Sequence, residues 1–380
     1  MRTIGLDFGT TNTRLSQAGT PWRYPLTDNG LLPSAIAFPP NGKIVIGAEA
    51  KNRLPIDPAN VILGPKRLVG ARFISSLTRQ FQESCTTLLV DNDGYVAFST
   101  RDGIKPPEDL CAEIINNITT SAGVDPSGTS LAMTVPVAFD ERQRRALVSV
   151  SRRLGFTRIR LLEEPVATAV AYIERCNVRR SAVFDLGGGT FDFAVMGYSG
   201  RSRDIEVLAT GGDESLGGDD IDRKVAEWAA EKLLAKTGWD LKSEPTVFAQ
   251  VIAAAERAKV ALSQQETEVA IDLSTVDEAA PIALPQIKIS RNSLYELAVP
   301  LIQKMFQICD EVLHEAKTTP KEIDALFMSG SGSHMYGIKG ATTKYFGIPA
   351  RTDIDPSFVV SIGAGLAMAR PSLHSLFQKI

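Results

Sequence analysis

One short pattern occurs twice in this chain, and it constrains the fold more than any other feature. Residues 4–13 read IGLDFGTTNT and residues 182–191 read AVFDLGGGTF. Aligning Asp7 with Asp185 also aligns Gly9 with Gly187. In each copy an apolar strand ends at an aspartate and a turn of Gly and Thr follows. A second strand-like run comes next, Thr13–Ser16 in one copy and Phe191–Met196 in the other. Each copy therefore reads as a β-hairpin with little side-chain bulk at its tip. Two such hairpins, roughly 180 residues apart, predict duplicated α/β halves that face each other.

The tips suit phosphate. Glycine reaches unusual φ values and leaves no Cβ in the way, and successive backbone N–H groups form an anion nest. Thr10, Thr11, Asn12 and Thr190 add hydroxyl or amide donors. Asp7 and Asp185, at the strand ends, are placed to hold the hydration shell of a metal, because Mg²⁺ keeps its waters and contacts few protein oxygens. Asp192, two residues beyond Thr190, can orient a water or a monovalent ion. The pattern G-x-x-x-x-G-K-[ST] does not occur, and no G-x-G-x-x-G opens a helix with a later acidic partner, so neither a P-loop nor a dinucleotide fingerprint is expected.

Strands and helices alternate between the two copies, which predicts the α/β class. Leu131–Val135 reads as a strand. Asp140 can cap a helix carrying Ala146, Leu147, Val150 and Leu154 at helical spacing and stopping at Gly155. Pro106-Pro107 opens another helix, with Leu110, Ile114 and Ile118 on one face. Further helices are expected over Ile221–Lys236 and Thr246–Leu262, and a strand over Ile323–Met328.

Composition excludes other classes. The 380 residues include 41 Lys and Arg against 44 Asp and Glu, a net charge of −3, which supports neither nucleic acid nor a polybasic membrane role. No run of about 18 apolar residues is present, and the N-terminus enters a strand directly, so neither a spanning helix nor a signal peptide is expected. Four scattered cysteines and three histidines favour neither zinc nor a disulfide scaffold, and the cysteines read as reduced, buried thiols of a cytoplasmic protein.

With these residues in view, the chain resembles the nucleotide-binding (ATPase) domain of the seventy-kilodalton heat-shock chaperones of the DnaK type, over nearly its whole length and in family order. IGLDFGTTNT looks like the first phosphate segment, and KRLVGARF (Lys66–Phe73) is similar to the segment of the catalytic lysine. VPVAFDERQRRAL (Val135–Leu147) resembles the connecting segment, LLEEPVATAVAY (Leu161–Tyr172) the segment with the catalytic Glu-Pro, and FDLGGGTFD (Phe184–Asp192) the second phosphate segment. GDESLGGDDID (Gly212–Asp222) and ERAKVALS (Glu256–Ser263) resemble the two segments around ribose and adenine, and IGAG (Ile362–Gly365) the last segment.

The resemblance implies the actin-like ATPase fold, two duplicated lobes of two subdomains each around ATP and Mg²⁺. Residues 1–33 and 105–180 would form the first core subdomain and 34–104 its outer subdomain. Residues 181–216 and 290–380 would form the second core, and 217–289 its outer subdomain. Carried over by position, Lys66 would reach the γ-phosphate and the attacking water, Glu164 would help place that water, and Thr190 would contact the γ-phosphate. Asp7 and Asp185 would hold Mg²⁺ through waters, and Asp192 would line a K⁺ or water site. Thr10, Thr11 and Asn12, with Gly9, would bind the β- and γ-phosphates, and Gly187, Gly188 and Gly189 would bind phosphate through the backbone. Gly217, Gly218, Glu256, Lys259, Ser263, Gly330, Ser331, His334 and Asp355 would surround ribose and base. Arg144 and Arg160 match positions tied to interdomain coupling and to docking of a J-domain co-chaperone. That partner and a nucleotide exchange factor are implied; a membrane and nucleic acid are not.

The chain also departs from the pattern. The linker, β-sandwich and helical lid that hold client peptide have no counterpart in these 380 residues. His334 stands where the family has an arginine on the adenine face, which removes a permanent cation–π contribution of about 0.5–1 kcal/mol. Ala138 replaces a tyrosine and Val166 a threonine, both where the family couples nucleotide state to its partner domain. The hydrolytic set Lys66, Glu164, Thr190, Asp185 and Asp192 is complete. The expectation is a slow Mg-dependent ATPase acting as a chaperone-type nucleotide switch without a client-binding domain in this chain. The alternative is a nucleotide-binding regulatory or scaffold module with negligible turnover. A sugar or acetate kinase and a polymerising actin share the superfold and find less support, since fold does not set function.

Overall fold

The computed structural model describes residues 2–172, 175–176, 178–199, 204–264, 266–277 and 283–378. Two sheets carry the architecture. In the first, the strands run in the order Arg158–Glu163, Thr129–Val135, Arg2–Phe8, Asn12–Gln17 and Thr20–Trp22, with Leu32–Pro33 paired onto Asn12–Gln17. The second runs Asp204–Asp213, Phe191–Ser199, Arg180–Leu186, Ala325–Ser329 and Ala350–Arg351. The two share a plan. Arg2–Phe8 pairs antiparallel with Asn12–Gln17 and parallel with Thr129–Val135. Arg180–Leu186 pairs antiparallel with Phe191–Ser199 and parallel with Ala325–Ser329. The sequence repeat is therefore a repeat of structure, and each hairpin occupies the middle of its sheet. Both central strands are buried along their length, as apolar runs such as Ala182-Val183-Phe184 require.

Two helices lie between the sheets. Glu164–Tyr172 and Val359–Ala369 share one apolar core with Ala132 and Leu162 of the first sheet and Val183, Ala194 and Phe327 of the second. Glycine sets their approach. A Cβ on Gly363 would lie 1.7 Å from the carbonyl oxygen of Ala167, and one on Gly5 would lie 2.2 Å from that of Ser361.

Smaller units flank the sheets. A meander of Leu88–Asn92, Tyr95–Thr100 and Gly103–Lys105 and a small sheet around Ala35–Ala37 lie in the 34–105 region. The helices Gly218–Thr237 and Pro245–Gln264, with the ribbon Glu268–Ala270/Lys288–Ser290, lie in the 217–290 region. The expected helices form, those over 221–236 and 246–262 a few residues longer, as Gly218–Thr237 and Pro245–Gln264. Asp140 makes a capping box with Gln143 at the start of Glu141–Arg153, and Leu147 and Val150 face inward. Pro107–Ser121 buries Leu110, Ile114 and Ile118.

The cysteines need correction. Only Cys111 and Cys309 are buried, while Cys85 and Cys176 are partly exposed. No helix among the described residues is long and apolar enough to cross a membrane.

Candidate functional site

The hairpin tips meet. A Cβ on Gly188 would lie 2.0 Å from Thr11 Oγ1, and one on Gly189 would overlap the Arg67 guanidinium. Only bare backbone fits here. Behind the tips lies a cavity of about 450 Å³ that is partly open to solvent. Gly9, Thr10, Thr11 and Asn12 of the first hairpin line it, as do Gly187, Gly188 and Thr190 of the second.

The cavity holds an unusual density of buried charge. Lys66 sits on the short helical turn Pro65–Leu68 and is 1% exposed. Its Nζ donates to Glu164 Oε1 at 3.0 Å and stands over the rings of Phe8 and Phe139 at 5.9 and 5.3 Å. Glu164 is the first residue of its helix. Burial pushes its carboxyl above the ordinary range, and the charge of Lys66 opposes that shift. Asp185 accepts the hydroxyl of Ser329 at 2.9 Å and is pushed up to about 7, first by burial and then by Glu164. Asp192 is pushed well above the carboxylate range by burial, Glu164 and Asp185. Burial is the larger cause of these shifts, and for Asp185 and Asp192 the neighbouring carboxylates come next. That is the condition a bound cation relieves, so the donor set fits Mg²⁺. No group of three or more His, Cys, Asp or Glu among the described residues is arranged to hold a metal ion.

Asp192 lies in an adjoining cavity that shares Thr10, Pro136 and Thr190 with the first and adds Arg67, Asp213 and Glu214. The residues expected around ribose and base are gathered further out. Gly217 and Gly218 pack on the second tip: Gly218 N–H donates to Gly187 O, and a Cβ on Gly217 would lie 2.4 Å from Gly188 O. Lys259 donates to Gly218 O at 2.9 Å and to Asp222 at 2.7 Å. Burial works against its charge, yet Asp222 and Glu256 raise its pKa. Burial also works against Glu256, but Lys51 and Lys259 hold its pKa low. Ser263 Oγ accepts the Tyr336 N–H at 3.3 Å. His334 Nε2 sits 3.2 Å from both Asp355 Oδ1 and Ser357 Oγ, so the imidazole is tied to its own loop. Gly330 lines the cavity behind the tips, and Ser331 bonds across it to Arg14.

Arg14 was not singled out in the sequence. It is 8% exposed, lines the cavity and salt-bridges Asp7 at 2.8 Å. The signal was available: Arg14 follows Asp7 by the same seven positions that separate Asp192 from Asp185.

Arg144 is also not a free surface residue. It donates to Phe139 O and Val137 O, and Glu163 lies 3.6 Å away. Arg160 stacks over Phe377 at 5.3 Å.

Among known proteins, the family model described as Hsp70 protein matches residues 3–370. "Chaperone protein DnaK" of Stenotrophomonas maltophilia (strain R551-3) is similar at 32% identity over 376 residues, which is 96% of this chain and 58% of that protein. The chain thus spans under two thirds of that relative's length.

Proposed function

The chain belongs to the Hsp70 family and has its actin-like ATPase fold, and from that premise we propose that it is a slow Mg-dependent ATPase working as a chaperone-type nucleotide switch. The observation that carries the reading is the buried Lys66–Glu164 pair behind two opposed glycine tips. Phosphoryl transfer to water asks for positioning and charge neutralisation rather than a covalent intermediate. Lys66 supplies a fixed positive charge where the transition state spreads negative charge over the γ-phosphoryl oxygens. Glu164, its carboxyl held by Lys66, orients the attacking water and accepts its hydrogen bond. The Thr190 hydroxyl donates to the γ-phosphate. The backbone of Gly9–Thr11 and Gly187–Gly189 takes the β- and γ-phosphates. Asp185 and Asp192, with Asp7 opposite, would hold Mg²⁺ through its waters, and Asp192 fits a K⁺ or water site. When bound, the cation supplies further neutralisation of the phosphate charge. Ribose and base fall to Gly217, Gly218, Glu256, Lys259, Ser263, Gly330, Ser331, His334 and Asp355. The core of the 34–105 region around Ile36, Leu89 and Phe98 supports its division from the first sheet, whereas the 217–290 region shares one core with the second sheet.

The same reading carries a J-domain co-chaperone and an exchange factor as partners, with Arg144 and Arg160 as docking or coupling candidates, and a cytoplasmic setting. The second reading, a nucleotide-binding scaffold with negligible turnover, draws on one observation: Asp7 is already engaged by Arg14.

Single-turnover hydrolysis of Mg-ATP in K⁺ buffer separates the two. Wild type is compared with Lys66→Ala and Thr190→Ala, with ATP and ADP binding measured on the same samples. Slow turnover in wild type, lost in Lys66→Ala while binding persists, supports the switch. Binding without turnover in any of the three sinks it and leaves the scaffold.

A further inference from the structure

The two hairpins are built alike and charged differently. Asp7 and Arg14 are direct cross-strand partners of the first hairpin and both line the cavity; Asp185 and Asp192 are direct cross-strand partners of the second, Asp185 lining the same cavity and Asp192 the adjoining one. The first pair is a buried salt bridge. The second is two buried carboxylates, both shifted upward. The first hairpin's pair is electrically neutral and the second's is doubly negative once ionised.

Arg14 is held on several sides. Its Nη1 bonds Asp7 Oδ2 at 2.8 Å and lies 3.5 Å from Asn12 O, and its Nη2 reaches the hydroxyl of Ser331 across the cavity. The other oxygen of Asp7 takes the Thr134 hydroxyl at 3.4 Å. The Nε of Arg14 is buried with no hydrogen-bond partner. A Cβ on Gly9 would lie 3.4 Å from Nη1, so the guanidinium stands beside the first phosphate-facing turn. Lys66 and Arg14 are thus two fixed cations lining one cavity.

We propose that Arg14 is a built-in counter-ion for the nucleotide phosphates. Beside Asp7 it takes over the neutralisation that a divalent cation would otherwise supply, and it leaves the metal to the Asp185–Asp192 pair. Nucleotide binding then depends only weakly on Mg²⁺. The inference deepens the nucleotide-switch reading and rests on it. A guanidinium stays charged at any physiological pH, and its planar fork can serve two acceptors at once, a carboxylate and a phosphate oxygen. Asp7, with both oxygens engaged, pulls less on a hydrated cation. A second positive charge at the same spot would be repelled at close range.

The test is calorimetric titration of ADP and ATP into the chain, once with Mg²⁺ and once in excess EDTA. Wild type should lose less than about threefold in affinity when the metal is removed, whereas Arg14→Ser should lose about tenfold or more. Arg14→Lys, which restores a charge, should fall between them. Asp7→Asn keeps the guanidinium and should stay weakly dependent, which gives a readout should Arg14→Ser not fold; thermal melts check this. An equal Mg²⁺ factor in wild type and Arg14→Ser overturns the proposal while leaving the nucleotide reading intact. Failure of wild type to bind either nucleotide in both buffers overturns that reading and this inference with it.

Discussion

Lys66 shows what a single residue can decide here. A lysine that is 1% exposed and paired with a buried glutamate cannot be removed alone without leaving an uncompensated charge. Breaking such a pair from one side costs about 3–5 kcal/mol, whereas removing both charges costs far less. Lys66→Met should therefore lower the stability of the nucleotide-free protein by about that much, and Lys66→Met/Glu164→Gln should recover most of the loss in denaturant unfolding. A double variant no more stable than Lys66→Met would show that the stranded Glu164 charge is not the source of the loss. The resemblance placed Lys66 and Glu164 in one hydrolytic set. Their depth, and the rings of Phe8 and Phe139 beside the ammonium, came from packing.

Helices in this molecule are placed by two devices, caps and close backbone approach. Asp140 accepts the Gln143 N–H at 2.9 Å while Gln143 returns to the Asp140 N–H. Asp140→Ala should cost about 0.5–2 kcal/mol. The Gln143 N–H holds the Asp140 pKa below its ordinary value. A depressed carboxyl contributes above its unfolded pKa and loses that contribution as pH falls through its folded pKa. The gap between wild type and Asp140→Ala should thus be full at neutral pH and shrink in acid, and a gap independent of pH would remove the charged cap as its source. Gly363 is the second device. Its Cα faces the Ala167 carbonyl, an atom of main chain that cannot rotate away. Gly363→Ala should destabilise by about 1–3 kcal/mol through overpacking, read as a lowered Tm. The Asp140 cap was legible as an Asp ahead of an apolar helical stripe. The Gly363 contact was not, because its partner lies almost 200 residues away and no local pattern encodes it.

At the scale of the whole molecule, segments distant in sequence are tied by polar contacts beyond the sheets, and these are the contacts that would restrain nucleotide exit. Lys51 salt-bridges Glu256 at 2.6 Å, Gln250 donates to Pro55 O at 2.9 Å, and Gln80 donates to Ser215 at 2.7 Å. Each ion here is only partly shielded, so the pair is worth at most about 1 kcal/mol and is screened by salt. Lys51→Ala should speed nucleotide dissociation about two- to fivefold at low salt, less at high salt, with the association rate little changed. An unchanged off-rate would mean that these contacts do not gate exit. The sequence by itself determined the class, the duplication, both glycine tips and the order of the segments, because these rest on residues adjacent in the chain, where a strand end, a glycine turn and a cap are local events. Tertiary structure decided how the two hairpins face each other, that Asp7 is neutralised by Arg14 while Asp185 and Asp192 are left together, and that Ser331 reaches Arg14 across 317 positions. Charge balance in a buried cavity is a sum over every group that packing brings there, and no stretch of sequence contains that sum.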